Sequence, residues 1–192
     1  MLELARLLRG IAPLRRTVRL VCFGAEEQLS VGSAEYARKH RAELGRSGAC
    51  LFNFDSFGSH LGWLELFAGG PQAMADFLSA AFARRDLYMS VHTGVMPYAD
   101  HFPFVAAGVP AATLIRSNCT AGRFFHHRPD DDLSRVSADL MARVLDASLA
   151  ALVELASAEP LPFAREIPAG QTEAVERCWN DLFGGWQPAV PH

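Results

Sequence analysis

What this 192-residue chain lacks narrows its class first. It has four cysteines, Cys22, Cys50, Cys119 and Cys178, far apart and without a CxxC pair. That argues against a disulfide framework or a thiolate metal site. Cys22 and Cys50 fall in apolar strand-like runs, so buried thiols are expected there. No apolar run approaches the ~18 residues of a membrane span. No block of lysine or arginine stands out, and the net charge is −3 at a pI near 6.1. Nucleic acid and anionic membranes are therefore poor candidates as partners. Glu3, Arg6 and Arg9 interrupt the leucines of the first ten residues, a pattern of an amphipathic helix rather than a signal peptide. Compartment stays open, with the cytoplasm as default. There is no internal repeat and no low-complexity segment.

What is present reads as one folded domain. Hydrophobic residues make up 50% and charged residues 20%, and the length suffices for a sizeable core. Helical spacing is expected over Leu2–Leu8, Ser33–Leu44, Pro71–Ala83 and Ser137–Ala156. Strand patterns run over Thr17–Phe23, Cys50–Phe54, Trp63–Phe67, Met89–His92 and Ala112–Ile115. Alternating strands and helices predict an α/β fold, a three-layer α/β/α sandwich whose mixed, mainly parallel sheet has about five or six strands. Residues 1–159 would form the main unit. Residues 160–192 would be a proline-punctuated linker, then a helix around Thr172–Phe183 packing on the same domain.

Chemistry-bearing residues gather at strand exits. Thr17–Phe23 runs into the adjacent acids Glu26 and Glu27, Asp55 follows the second strand, and His126-His127 opens a polar run ending in Asp130-Asp131-Asp132. Open α/β sheets place their sites at the C-terminal ends of strands. Each block also has a plain reading. Acids favour helix N-termini, aspartate suits turns, and Ser134 or the last aspartate could cap a helix. Together, though, carboxylates with one imidazole suit Zn²⁺ or a similar divalent ion. A carboxylate beside the metal would then take the proton from water.

In order and wording, four blocks resemble the M28 family of zinc aminopeptidases: FGAEEQLSVGSAEY (23–36), LFNFDSFGS (51–59), YADHFPFVAAGVPAATL (98–114) and HHRPDDDLSRV (126–136). The resemblance runs from about Leu2 to Leu155. It implies a zinc-peptidase-type sandwich that cleaves N-terminal residues from a peptide substrate, with one or two zinc ions. On that pattern Glu26 is the general base, Glu27 and His127 bind one zinc, and Asp55 binds the other. Asp100 and His101 shape the site, and His126 is a neighbour rather than a ligand. Phe57, Tyr98 and Phe125, with Phe102 and Phe124, are candidates for an apolar substrate pocket, although core packing is the default for most of them. The family also carries a histidine and a bridging aspartate on strands upstream of the opening helix, for which this sequence has no counterpart. The resemblance thus implies a chain lacking its N-terminal strands, weakened in metal binding and hydrolysis. It would either self-associate or assemble with a complementing N-terminal segment. Two alternatives stand beside it: a non-catalytic pseudo-peptidase used for binding or assembly, and glutaminyl-cyclase-like acyl transfer at zinc.

Overall fold

A computed structural model describes residues 1–11 and 13–187; the end of the expected 160–192 segment, residues 188–192, lies outside that set. Its sheet has four strands, β1 (Leu51–Phe54), β2 (Trp63–Gly69), β3 (Met89–Thr93) and β4 (Ala111–Ser117), in the order β1-β4-β2-β3. β1 runs parallel to β4 and β2 parallel to β3, whereas β2 and β4 are antiparallel. β4 is central because Ala111, Ala112, Thr113 and Leu114 are small or apolar and buried on both faces. A strand covered on both sides needs such a continuous run rather than an alternating one.

Helices cover the two faces. Side-chain alternation turns Leu51 and Ala111 to one side, where α2 (Val31–Ser47), α4 (Phe102–Ala106) and α6 (Ala169–Phe183) pack. Phe52, Leu66 and Ala112 turn to the other, toward α3 (Gln72–Ala83) and α5 (Ala138–Ser157). This is the expected three-layer sandwich. α6 is clamped to α2 by Arg38, whose guanidinium donates to the carbonyls of Phe183 and Gly185 and lies 5.0 Å from the Trp179 ring centre. Gly184, at φ 70°, closes α6 in the left-handed conformation that glycine adopts cheaply.

Two expectations are corrected. Among the described residues the sheet has four strands, not five or six, because Thr17–Phe23 takes no regular secondary structure and pairs with no strand. Its β-branched pattern is real; what it lacks is a neighbouring backbone. An apolar cavity of about 840 Å³ separates this segment from β1. For the same reason Cys22 is exposed rather than buried. Cys50 is half-buried, and desolvation there pushes its thiol up to about 12. Helix boundaries shift modestly: α2 begins at Val31, and α6 begins at Ala169, directly after Pro168.

Candidate functional site

Glu26 and Glu27 sit on a tight 3₁₀ turn, Glu26–Gln28, held between residues in unusual conformations. Ala25, Leu29 and Ser30 have φ of 54°, 59° and 51°, although none is glycine. Such left-handed residues cost of order 1–3 kcal/mol each and persist where their surroundings over-determine them. Here the determinants are visible. Ser30 N–H donates to the Glu26 carbonyl at 2.7 Å and Val31 N–H to the Ala25 carbonyl at 3.2 Å. Gly32 N–H reaches the Gly24 carbonyl at 3.2 Å, so close an approach that a Cβ on Gly32 would lie 2.2 Å from that oxygen. The turn is thereby cinched at its base, with Glu26 half-buried and Glu27 exposed.

The other site residues converge on this turn from distant parts of the chain. The imidazole of His127 (φ 60°) stands 2.7 Å from the Glu27 carboxylate through Nε2, and His126 stacks on His127 with ring centres 3.7 Å apart. Asp55 follows β1 directly, its N–H donating to the Leu114 carbonyl. Burial, then the charges of Asp55, Asp100 and Glu27, push the Glu26 carboxyl up to about 7, with His127 opposing them. Asp100 is buried and accepts a 2.6 Å hydrogen bond from Ser33 Oγ in the first turn of α2. Burial raises its pKa, with the Asp55 charge adding and the Ser33 hydroxyl opposing. His101 is fully buried in the core beneath.

The candidate pocket aromatics are distributed otherwise. Phe57 packs edge-on against Phe54 in the core cluster under α5. Phe125 lies under the guanidinium of Arg135, 3.8 Å from the ring centre, while Tyr98 is exposed. Asp100 does not cap the helix that follows it, since the residue at that position is His101. Sequence reading missed Ser33, whose partner is 67 residues away. It also missed the Gly24–Gly32 contact; two glycines flanking the acid pair were the available signal.

Four carboxylates facing one imidazole are a donor set short of positive charge, which fits a divalent cation. Glu27 and His127 already stand together as a pair of donors. Among the described residues, however, no group of three or more His, Cys, Asp or Glu side chains converges closely enough to hold an ion. The fit is partial: the donor types are right and the set is incomplete.

Comparison with known proteins gives the family. The family model of Peptidase family M28 matches residues 1–152. The chain belongs to that family. Among its relatives, aminopeptidase YwaD of Bacillus subtilis is 28% identical over 84% of this chain and 37% of its own length. Carboxypeptidase Q of Rattus norvegicus is 30% identical over 69% of this chain and 27% of its own. The chain thus spans about a third of the length of these curated relatives. The solved structure of BSAP, a zinc aminopeptidase from Bacillus subtilis, superposes with a TM-score of 0.66 at 26% identity, covering 88% of this chain and 43% of that one. Among the described residues, no helix is long and apolar enough to cross a membrane.

Proposed function

We propose that this M28 chain carries the acid–base half of a zinc-dependent aminopeptidase-like site acting on peptides. The observation that supports the reading best is the Glu26 carboxyl, lifted to about 7 by burial and by Asp55, Asp100 and Glu27. A carboxylate poised near neutral pH is suited to take a proton from attacking water and return it to the leaving amine. Glu27 and His127 would hold one zinc ion, and Asp55 would belong to a second. Zinc, when bound, supplies Lewis-acid polarisation of the scissile carbonyl and acidifies water. The residues of this chain do the rest. The cinched 3₁₀ turn fixes Glu26 on the reacting side, Asp100 ties that turn's helix to α4 through Ser33, and His126 backs His127 by ring stacking.

The incomplete donor set favours a second reading, a scaffold without catalysis. Zinc uptake separates the two. For the first reading we expect about one zinc or more per chain by elemental analysis, lost in Glu27→Ala, with hydrolysis of leucyl-anilide lost in Glu26→Gln while zinc is retained. A chain holding no zinc above the Glu27→Ala control would refute the catalytic reading and leave the scaffold. Turnover of N-terminal glutaminyl peptides to the cyclic product, with none of the anilide, would instead indicate acyl transfer. A carboxypeptidase has a place among the relatives, so C-terminally blocked and free peptides belong in the same assay.

A further inference from the structure

The alternation that sends Leu64, Leu66 and Ala68 of β2 under α3 and α5 turns Trp63, Glu65 and Phe67 to the other face of the sheet. That face is covered at one end only. Val105 of α4 lies against Gly69 at the end of β2, and Thr113 of β4 is fully buried. Toward the start of β2 the cover stops: Ile115, Glu65 and Phe67 are half-buried, and Trp63 is 54% exposed.

Strand register sets this open shelf beside the acids of the candidate site. Asp55 N–H donates to the Leu114 carbonyl, which extends the β1–β4 ladder and brings Asp55 beside Ile115. Ile115 pairs in turn with Glu65. Phe54, Leu114 and Leu66 face α3 and α5, so Asp55, Ile115 and Glu65 stand in one row on the opposite face. Two strand spacings separate Glu65 from Asp55, about 10 Å, with the aliphatic Ile115 between them. The inner end of the row adjoins Glu26, which feels the charge of Asp55.

At the outer end, Glu65 accepts a hydrogen bond from Ser117 Oγ, and His92 Nε2 stands 3.3 Å from its other oxygen. Neither partner is a fixed positive charge, and among the described residues no lysine or arginine pairs with Glu65. Each carboxylate oxygen keeps lone-pair capacity for a further donor. Phe67 is already stacked on His92, whereas Trp63 makes no ring contact among the described residues and can border a cation at the carboxylate. A metal ion would find only Glu65 and His92 as donors here. An apolar side chain would strip water from the carboxylate and replace it with nothing, and an anion would be repelled.

We infer that Glu65 is a specificity-determining residue that receives the cationic side chain of a lysine or arginine at the substrate's N-terminus. The aliphatic stem lies over Ile115, and the charged head meets Glu65 beside Trp63. An apolar path ending in an anion suits a long side chain that is apolar along its stem and charged at its tip. Seating of the peptide's first residue at Glu26 and Asp55 rests on the aminopeptidase reading; the cation site itself is made by Ile115, Trp63 and Glu65.

Methyl NMR on the full chain tests the site apart from catalysis. The sequence has three isoleucines, Ile11, Ile115 and Ile167, so the Ile115 signal is readily assigned. The probes are L-lysinamide and L-norleucinamide, which carry the same stem with and without the ammonium group. The expected result is a saturable shift of the Ile115 methyl, with lysinamide bound at least tenfold more tightly than norleucinamide. In Glu65→Gln that ratio is expected to fall tenfold or more, with the Ile11 and Ile167 signals unmoved as a check on folding. An Ile115 methyl unmoved by either probe, equal binding of the two by the parent, or an unchanged ratio in Glu65→Gln would each overturn the proposal. Turnover separates it from the reading it extends. A lysinamide preference with no hydrolysis of lysyl- or leucyl-anilide would sink the catalytic reading and leave the cation site standing. Hydrolysis that favours the leucyl- over the lysyl-anilide would overturn the role of Glu65 in specificity.

Discussion

His101 gives the most direct test of how tightly the core beneath the site is built. Burial, only partly offset by an interaction with the Ala99 backbone, pushes its imidazole pKa down to about 3, and the ring is 1% exposed. Its Nδ1 finds no partner among the described residues. An unfolded chain restores the ordinary value near 6.5. Between these two values the unfolded state binds the extra proton, so stability is full above pH 6.5 and is lost as pH falls toward 3. For a single group with these two values, linkage gives a loss of about 2 kcal/mol between pH 7 and pH 5. At a urea slope of about 2 kcal/mol/M, the midpoint falls by about 1 M. His101→Met keeps similar volume, removes the titration and leaves no orphaned ring nitrogen. Urea melts of both proteins at pH 7 and pH 5 isolate the effect, because carboxylates common to both cancel in the difference. Equal losses in the two proteins would refute the reasoning and mean that water or a proton acceptor reaches the ring.

Gly32→Ala drives a methyl into the Gly24 carbonyl, and overpacking against backbone is expected to cost about 2 kcal/mol. A thermal melt unchanged from the parent would show that the turn is not cinched. Ser33→Ala leaves the buried Asp100 carboxyl without its 2.6 Å donor. The expected cost is about 1–2 kcal/mol in urea, with the Asp100 carboxyl titrating at higher pH by carbon NMR; no upward movement would refute the tie. Arg38→Met removes the donor to the Phe183 and Gly185 carbonyls at the end of α6. Destabilisation of about 2 kcal/mol is expected, together with faster tryptic cleavage at Arg177; unchanged cleavage would assign the docking of α6 to its aromatic residues alone.

Local features of the chain were readable from its pattern. Helical spacing found α3 and α5 nearly to the residue, and the short apolar runs bounded by turn residues found β1 to β4. The order of acids and histidines named the family and the residues that gather at Glu26. What could not be read depends on partners far apart in sequence. The pattern TVRLVCF specifies an extended backbone but not a neighbour, and so Thr17–Phe23 remains unpaired and Cys22 exposed. That β2 runs antiparallel to β4 follows from chain topology, to which hydrophobic period is blind. Asp100 could be seen as important, but only the fold reveals that it grips Ser33 rather than capping α4.

The clamp of Arg38 on α6 also has a mechanical meaning. One side chain projecting from the middle of α2 grips carbonyls at the far end of the last helix, while the first turn of α2 carries Ser33 and adjoins the turn bearing Glu26. A pull applied beyond residue 187 would therefore reach the acid pair through a single rigid rod, with no intervening sheet to absorb it. Tethering this protein by its C-terminus would put the turn bearing Glu26 under tension, whereas tethering elsewhere would leave that turn slack.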